Sequence, residues 1–154
     1  MPELNRVAPD FSLPADDGTT VRLKALRGTP VVLYFYPKDD TTGCTAQACE
    51  FRDLFPRFKQ SKAVILGVSP DSVKSHAKFK VKYQLPFTLL ADEAKLACQL
   101  YDVWHEKSMY GRKYMGVVRS TFLIDAKGKL ARVWTKVTPK GHAQEVAAAI
   151  AELD

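Results

Sequence analysis

The chain has 154 residues, of which 46% are hydrophobic and 26% charged, with a formal net charge of +6. That is the make-up of one globular domain (1–154), able to bury roughly two-thirds of its unfolded surface. Disordered, coiled-coil and collagen-like architectures are excluded by composition, and three cysteines are too few, and odd in number, for a disulfide-built scaffold.

Lys and Arg are interleaved with Asp and Glu almost everywhere, which favours a solvated basic surface over contact with nucleic acid. The N-terminal MPELNRVAPDF has no apolar core of signal-peptide length and carries Glu3 and Asp10. The longest apolar run, Val31 to Tyr36, falls far short of the ~20 residues that span a bilayer. The expectation is a cytoplasmic protein without a membrane segment.

Taken in chain order, Phe11-Ser12-Leu13 and Val21-Arg22-Leu23 flank Asp16-Asp17-Gly18 and predict a β-hairpin. VVLYFY at 31–36, closed by Pro37, predicts a central strand buried on both faces. The period then changes. Cys44, Ala48, Phe51, Phe55 and Phe58 share one helical stripe, broken or kinked near Pro56. AVILGVS at 63–69 predicts a second buried strand, and Ser69-Pro70-Asp71 a cap for a helix running to about Gln84. On this helix His76 is expected to be an ordinary surface residue. A short strand follows at 87–90, then a helix capped by Asp92 through Tyr101, an irregular stretch over 102–118, a hairpin of 120–125 with 130–137, and a closing helix from Gly141. The order implies an α/β fold with a mixed central sheet flanked by helices.

The segment 37–44 joins the end of a buried strand to the first turn of a helix, where α/β folds place their sites. A thiol there faces unpaired N–H groups and the positive end of the helix dipole, and both favour a thiolate. By position alone Cys44 is equally well a buried core cysteine that starts the apolar stripe. Thr41 offers a hydroxyl three residues before it. Cys49 lies five residues on and about 140° round the helix, off the stripe. The two Cα atoms are then about 8.6 Å apart on an intact helix, beyond the ~7 Å reach of a disulfide. A bond between them requires the first turns to unwind. Two unrelated reduced thiols remain the alternative.

A zinc site drawn from Cys44, Cys49, Cys98, His76, His105 and His142 is disfavoured, because no CxxC or HxxxH pair occurs among them. The missing CxxC also disfavours a thioredoxin-type oxidoreductase. Cys98, in LACQLY, reads as a buried structural thiol. Arg119 enters the apolar run STFLI, either as a solvated edge residue or as a fixed charge stabilising a thiolate.

Pro37, Thr41 and Cys44 match the PxxxTxxC signature of peroxiredoxins. APDFSLP, FYPKDDT, GCTAQACEFRD, KYQLPFTLLAD and RSTFLID together resemble the PrxQ, or bacterioferritin comigratory protein, subfamily over nearly the whole chain. The resemblance implies a thioredoxin-like fold with an N-terminal β-hairpin extension. It further implies a peroxidase needing no metal or cofactor, with hydrogen peroxide and alkyl hydroperoxides as substrates and thioredoxin as reductant, often monomeric.

Carried over by position, Cys44 is the peroxidatic cysteine, Thr41 and Arg119 hold the peroxide and stabilise the thiolate, and Pro37 shields the pocket. Cys49 is the resolving cysteine, giving an intramolecular Cys44–Cys49 disulfide. Thr42 departs from the family's common TPGC and removes a proline that would stiffen the helix start. The other reading of the same cysteine pair is a redox-sensing or holdase-type binding protein.

Overall fold

The structure is a computed structural model that describes residues 1–153. Strands β1 (Ser12–Pro14) and β2 (Thr20–Arg22) form the expected antiparallel hairpin. Its turn docks on an edge of the main sheet, where Asp16 N–H donates to the Leu89 carbonyl and Leu89 N–H to the Asp16 carboxylate. The hairpin thereby covers backbone groups that an open edge would expose.

The main sheet has five strands in the order β5-β4-β3-β8-β9. They are β3 (Val31–Phe35), β4 (Val64–Ser69), β5 (Thr88–Ala91), β8 (Ser120–Ile124) and β9 (Leu130–Trp134). The β3, β4 and β5 strands are parallel, whereas β8 runs antiparallel to both β3 and β9. Mixed direction follows from the connections: helices cross over between the parallel strands, and a tight turn at 125–129 joins the last two. Every residue of β3 is buried, and they alternate between two cores. Val31, Leu33 and Phe35 pack with the N-terminal hairpin and Tyr101, while Val32 and Tyr34 pack with the helices.

Helices α1 (Thr42–Asp53), α2 (Phe55–Gln60), α3 (Val73–Tyr83) and α5 (His142–Ala151) contribute to the second core, and α4 (Leu96–Leu100) to the first. The stripe read from sequence is buried at Cys44, Ala48, Phe51 and Phe58. The helix does end near Pro56: Leu54 leaves helical geometry and Pro56 sits in the first turn of α2, where a missing N–H costs nothing. The helix expected from Asp92 starts later, at Leu96 with Lys95 as its N-cap, and the Asp92 carboxylate accepts from the Ala97 and Cys98 N–H groups of its first turn.

Several boundaries differ from the sequence reading. The N-cap of α3 is Ser72, whose side chain accepts from Ser75 N–H, because Ser69 is the last residue of β4 and its hydroxyl is spent on Asp71. The β9 strand stops at Trp134. The stretch 102–118 is not irregular: β6 (Trp104–Met109) pairs with β7 (Arg112–Val117) as an antiparallel ribbon. Most of its side chains are exposed, so no polar–apolar alternation marks it. Its tight turn places Tyr110 and Gly111 both at positive φ, as a primed hairpin turn requires.

His76 is also not a surface residue. It has no exposed area, because i,i+3 spacing puts it on the inward face of α3 with Phe79.

Candidate active site

Cys44 occupies the third position of α1, in the turn where backbone N–H groups lack helical acceptors. The first such bond runs from Thr45 N–H to the Thr41 carbonyl. Thr41 is the N-cap, but its side chain makes no capping bond; its hydroxyl donates to the Lys38 carbonyl at 3.0 Å. The N–H groups of Thr42, Gly43 and Cys44 are thus left uncapped by that side chain.

Arg119 reaches the same sulfur from the other side of the fold. Phe35 pairs with Ser120 across the antiparallel β3–β8 ladder, so the residue just before β8 lies beside the loop leading into α1. The Arg119 Nη2 atom lies 3.4 Å from Cys44 Sγ, and Nη1 donates to Gln47 Oε1 at 2.6 Å. Two residues 75 apart in sequence are brought together by strand register. The close fit also depends on Gly43, where a Cβ would stand 3.1 Å from Arg119 Nη2.

Gln47 was not anticipated. It is fully buried one helical turn beyond Cys44 and holds the guanidinium in place. The i,i+3 spacing from Cys44 was the available signal.

Pro37 is half-buried and lines an open cleft of about 390 Å³ with Trp104, Lys107, Tyr114 and Met115. Lys107 donates to the Val117 carbonyl at 3.0 Å, and its ammonium is held below its usual range by burial, then by Arg119.

Cys49 is partly exposed on the same unbroken helix, and both it and Cys44 are free thiols. Cys98 is the structural thiol its setting predicted: burial above all, then the facing Asp92, push it well above the usual thiol range.

The six candidate zinc ligands do not come together. Among the described residues, Asp39, Asp71 and His76 are the one group of three whose ligand atoms lie within 4.8 Å of each other. Those atoms are already engaged in hydrogen bonds.

Residues 4–133 match the AhpC/TSA family. The chain is 50% identical to peroxiredoxin Bcp of Bacillus subtilis over 143 residues, covering 93% of this chain and 91% of that protein. The chain belongs to the PrxQ/Bcp peroxiredoxins. Peroxiredoxin Bcp of Escherichia coli is 43% identical over 136 residues, covering 88% of this chain and 87% of that one. The solved structure of Xanthomonas campestris bacterioferritin comigratory protein superposes with a TM-score of 0.90 at 42% identity, covering 98% of this chain and 96% of that one. As a PrxQ/Bcp peroxiredoxin the protein is a thiol peroxidase with the thioredoxin-like α/β fold of its relatives. No helix is long and apolar enough to cross a membrane.

Proposed function

We propose that this peroxiredoxin reduces hydrogen peroxide and organic hydroperoxides through Cys44. The observation that carries the reading is the Cys44 sulfur at an uncapped helix start, 3.4 Å from the Arg119 guanidinium, with a second free cysteine on the same helix. In the first step a sulfur electron pair attacks one peroxide oxygen and the O–O bond breaks. Cys44 becomes a sulfenic acid, and the other oxygen leaves as alkoxide or hydroxide and takes a proton. Arg119 supplies fixed positive charge where the sulfur and the departing oxygen carry negative charge, and the free N–H groups of the helix start can hold an oxygen of the substrate. Thr41 and Pro37 border this approach, where a hydroxyl can contact the peroxide and the ring can exclude water.

The Cys49 sulfur then gives up its proton and attacks the sulfenic sulfur; the S–O bond breaks, the hydroxyl leaves as water with that proton, and a Cys44–Cys49 disulfide forms. On an intact helix the two Cα atoms stand about 8.6 Å apart, so the first turns of α1 unwind for this step. The unwound, exposed disulfide is open to a dithiol reductant of the thioredoxin type, which returns two electrons through a mixed disulfide. The Xanthomonas campestris relative is associated with alkyl peroxide reduction, which supports organic hydroperoxides as substrates here. The protein acts as a monomer in this reading, with no metal or cofactor in the cycle.

Thioredoxin-coupled NADPH consumption tests the assignment. Cys44→Ser is expected to abolish turnover, whereas Cys49→Ser oxidises once and loses recycling. Full turnover in Cys44→Ser overturns the proposal. One slow oxidation of the wild type without cycling indicates a redox-sensing protein instead. Peptide mass spectrometry after one equivalent of peroxide should find Cys44 linked to Cys49 and Cys98 untouched.

A further inference from the structure

The loop that delivers Cys44 carries two consecutive aspartates, and both are fastened to α3 rather than to the reacting centre. The Asp39 carboxylate is buried, accepts from Tyr36 Oη at 2.6 Å and Ser75 Oγ at 2.8 Å, and lies 2.8 Å from His76 Nδ1. The Asp39 N–H donates to Asp71 at 2.8 Å. Asp40, in the left-handed region at φ 59°, accepts from Lys82 Nζ and Tyr83 Oη, each at 2.7 Å. Apart from Tyr36, every partner lies on α3 or the turn leading into it.

His76 completes the arrangement. Its Nε2 faces the Leu90 carbonyl oxygen at 2.9 Å, and its Nδ1 faces the Asp39 carboxylate. The same Nδ1 also lies 3.4 Å from Tyr36 Oη, so Tyr36, Asp39 and His76 form one buried polar cluster that joins the loop to α3. A buried hydrogen-bonded cluster of this kind holds geometry strictly, because losing either partner leaves a buried polar group unsatisfied.

We propose that the Asp39–His76 pair is a latch: a positioning device that clamps the Cys44 loop to α3 and sets how readily the start of α1 unwinds after oxidation. Its second half rests on the Cys44–Cys49 reading above. For Cys44 to meet Cys49, residues 42–44 leave helical geometry while the chain five residues upstream of Cys44 stays pinned. The latch favours the wound arrangement, in which Arg119 reaches the sulfur. Loosening it therefore acts with opposite sign on two steps: attack on peroxide slows, and closure of the disulfide speeds up.

Tyr36→Phe removes one donor to Asp39, Asp39→Asn removes the charge, and His76→Asn removes the ring. Leu13→Ala, in the core on the other face of the sheet, serves as the control for lost stability. In a Cys49→Ser background, the rate of Cys44 oxidation by hydrogen peroxide is expected to fall several-fold in the three latch variants and to hold in Leu13→Ala. In the background with Cys49, excess peroxide partitions Cys44 between disulfide and sulfinic acid, the latter formed when a second peroxide gives its oxygen to the sulfenic acid. Intact mass should then report several-fold more disulfide relative to sulfinic acid in the latch variants.

Oxidation rates and partition equal to those of Leu13→Ala overturn the latch. Should the buried variants fail to fold, Asp40→Asn and Lys82→Met loosen the exposed half, with the same signs expected and the same null result decisive. If the wild type forms no Cys44–Cys49 disulfide, the resolving role fails by itself, and the oxidation rate in Cys49→Ser still decides whether the latch positions Cys44.

Discussion

Gly43 shows how little room the reacting centre leaves. The Nη2 atom that a Cβ at this position would crowd to 3.1 Å is the same atom that lies 3.4 Å from Cys44 Sγ. Arg119 has little freedom to give way, because its other terminal nitrogen is tied to Gln47. Gly43→Ala is expected to lower the second-order rate constant for peroxide about tenfold, less than the ~100-fold typical of a 1 Å misplacement. Alanine is the better helix former by about 1 kcal/mol, so thermal stability should hold or rise. Stopped-flow oxidation beside a thermal melt checks both, and a full-rate variant would show that the Arg119 position is not critical. Gln47→Ala should cause a comparable loss by freeing the guanidinium that Gln47 holds.

Helix α1 is anchored unevenly along its length. Its later turns are tied down by Arg52 donating to the Tyr83 carbonyl at 2.8 Å and by Glu50 accepting from Gly141 N–H at 2.9 Å. The first turn is held by the Arg119 contacts with Cys44 and Gln47 and by the aspartate-bearing loop before it. Unwinding of residues 42–44 releases the Arg119–Cys44 contact and leaves the two anchors of the later turns in place. Thr42 is the first residue of the helix, where proline is well tolerated, and Thr41 already has the extended φ −89° and ψ 160° that a following proline requires. Thr42→Pro should restrict the unwound chain by about 0.4–1 kcal/mol and slow disulfide formation roughly two- to fivefold. Quenched-flow thiol trapping measures the two steps apart, and an unaltered disulfide rate would contradict unwinding at this turn.

Across the whole molecule, α5 closes the helical face of the sheet, and His142 at its start is buried between Phe51 and Trp134. Its ring meets Thr121 Oγ1 at 2.8 Å. Burial holds the imidazole below its ordinary value; Glu145 at 3.7 Å opposes that shift and Arg119 adds to it. The folded state thus keeps a neutral ring at a pH where the unfolded chain, titrating near 6.5, binds a proton. Stability from this group is complete above that value and declines as the pH falls through it towards the lowered folded value. Denaturant midpoints should drop between about pH 7.5 and about pH 5.5, and drop less in His142→Gln, which can keep a bond to Thr121. Equal slopes in both proteins would remove His142 as the source.

Much of this was legible in sequence because it is local. The run VVLYFY reads as a strand buried on both faces and the Cys44-Ala48-Phe51 stripe as a helix packed on it, and the five-residue spacing means that a bond between Cys44 and Cys49 would require unwinding. The ribbon over 104–117 was hidden because its side chains face solvent, so burial imposed no period on them. His76 was hidden because a histidine among lysines resembles a helix surface until the Asp39 carboxylate and the Leu90 carbonyl appear opposite its two nitrogens. Arg119 beside Cys44 is the product of register in an antiparallel ladder, and no spacing along the chain encodes which residues two distant strands set side by side. The sequence by itself determined the helix, the thiols on it and that a bond between Cys44 and Cys49 would require unwinding. Only the tertiary structure decided what holds that helix wound, because a guanidinium 75 residues away and a buried Asp39–His76 contact to α3 exist only once the sheet has aligned them.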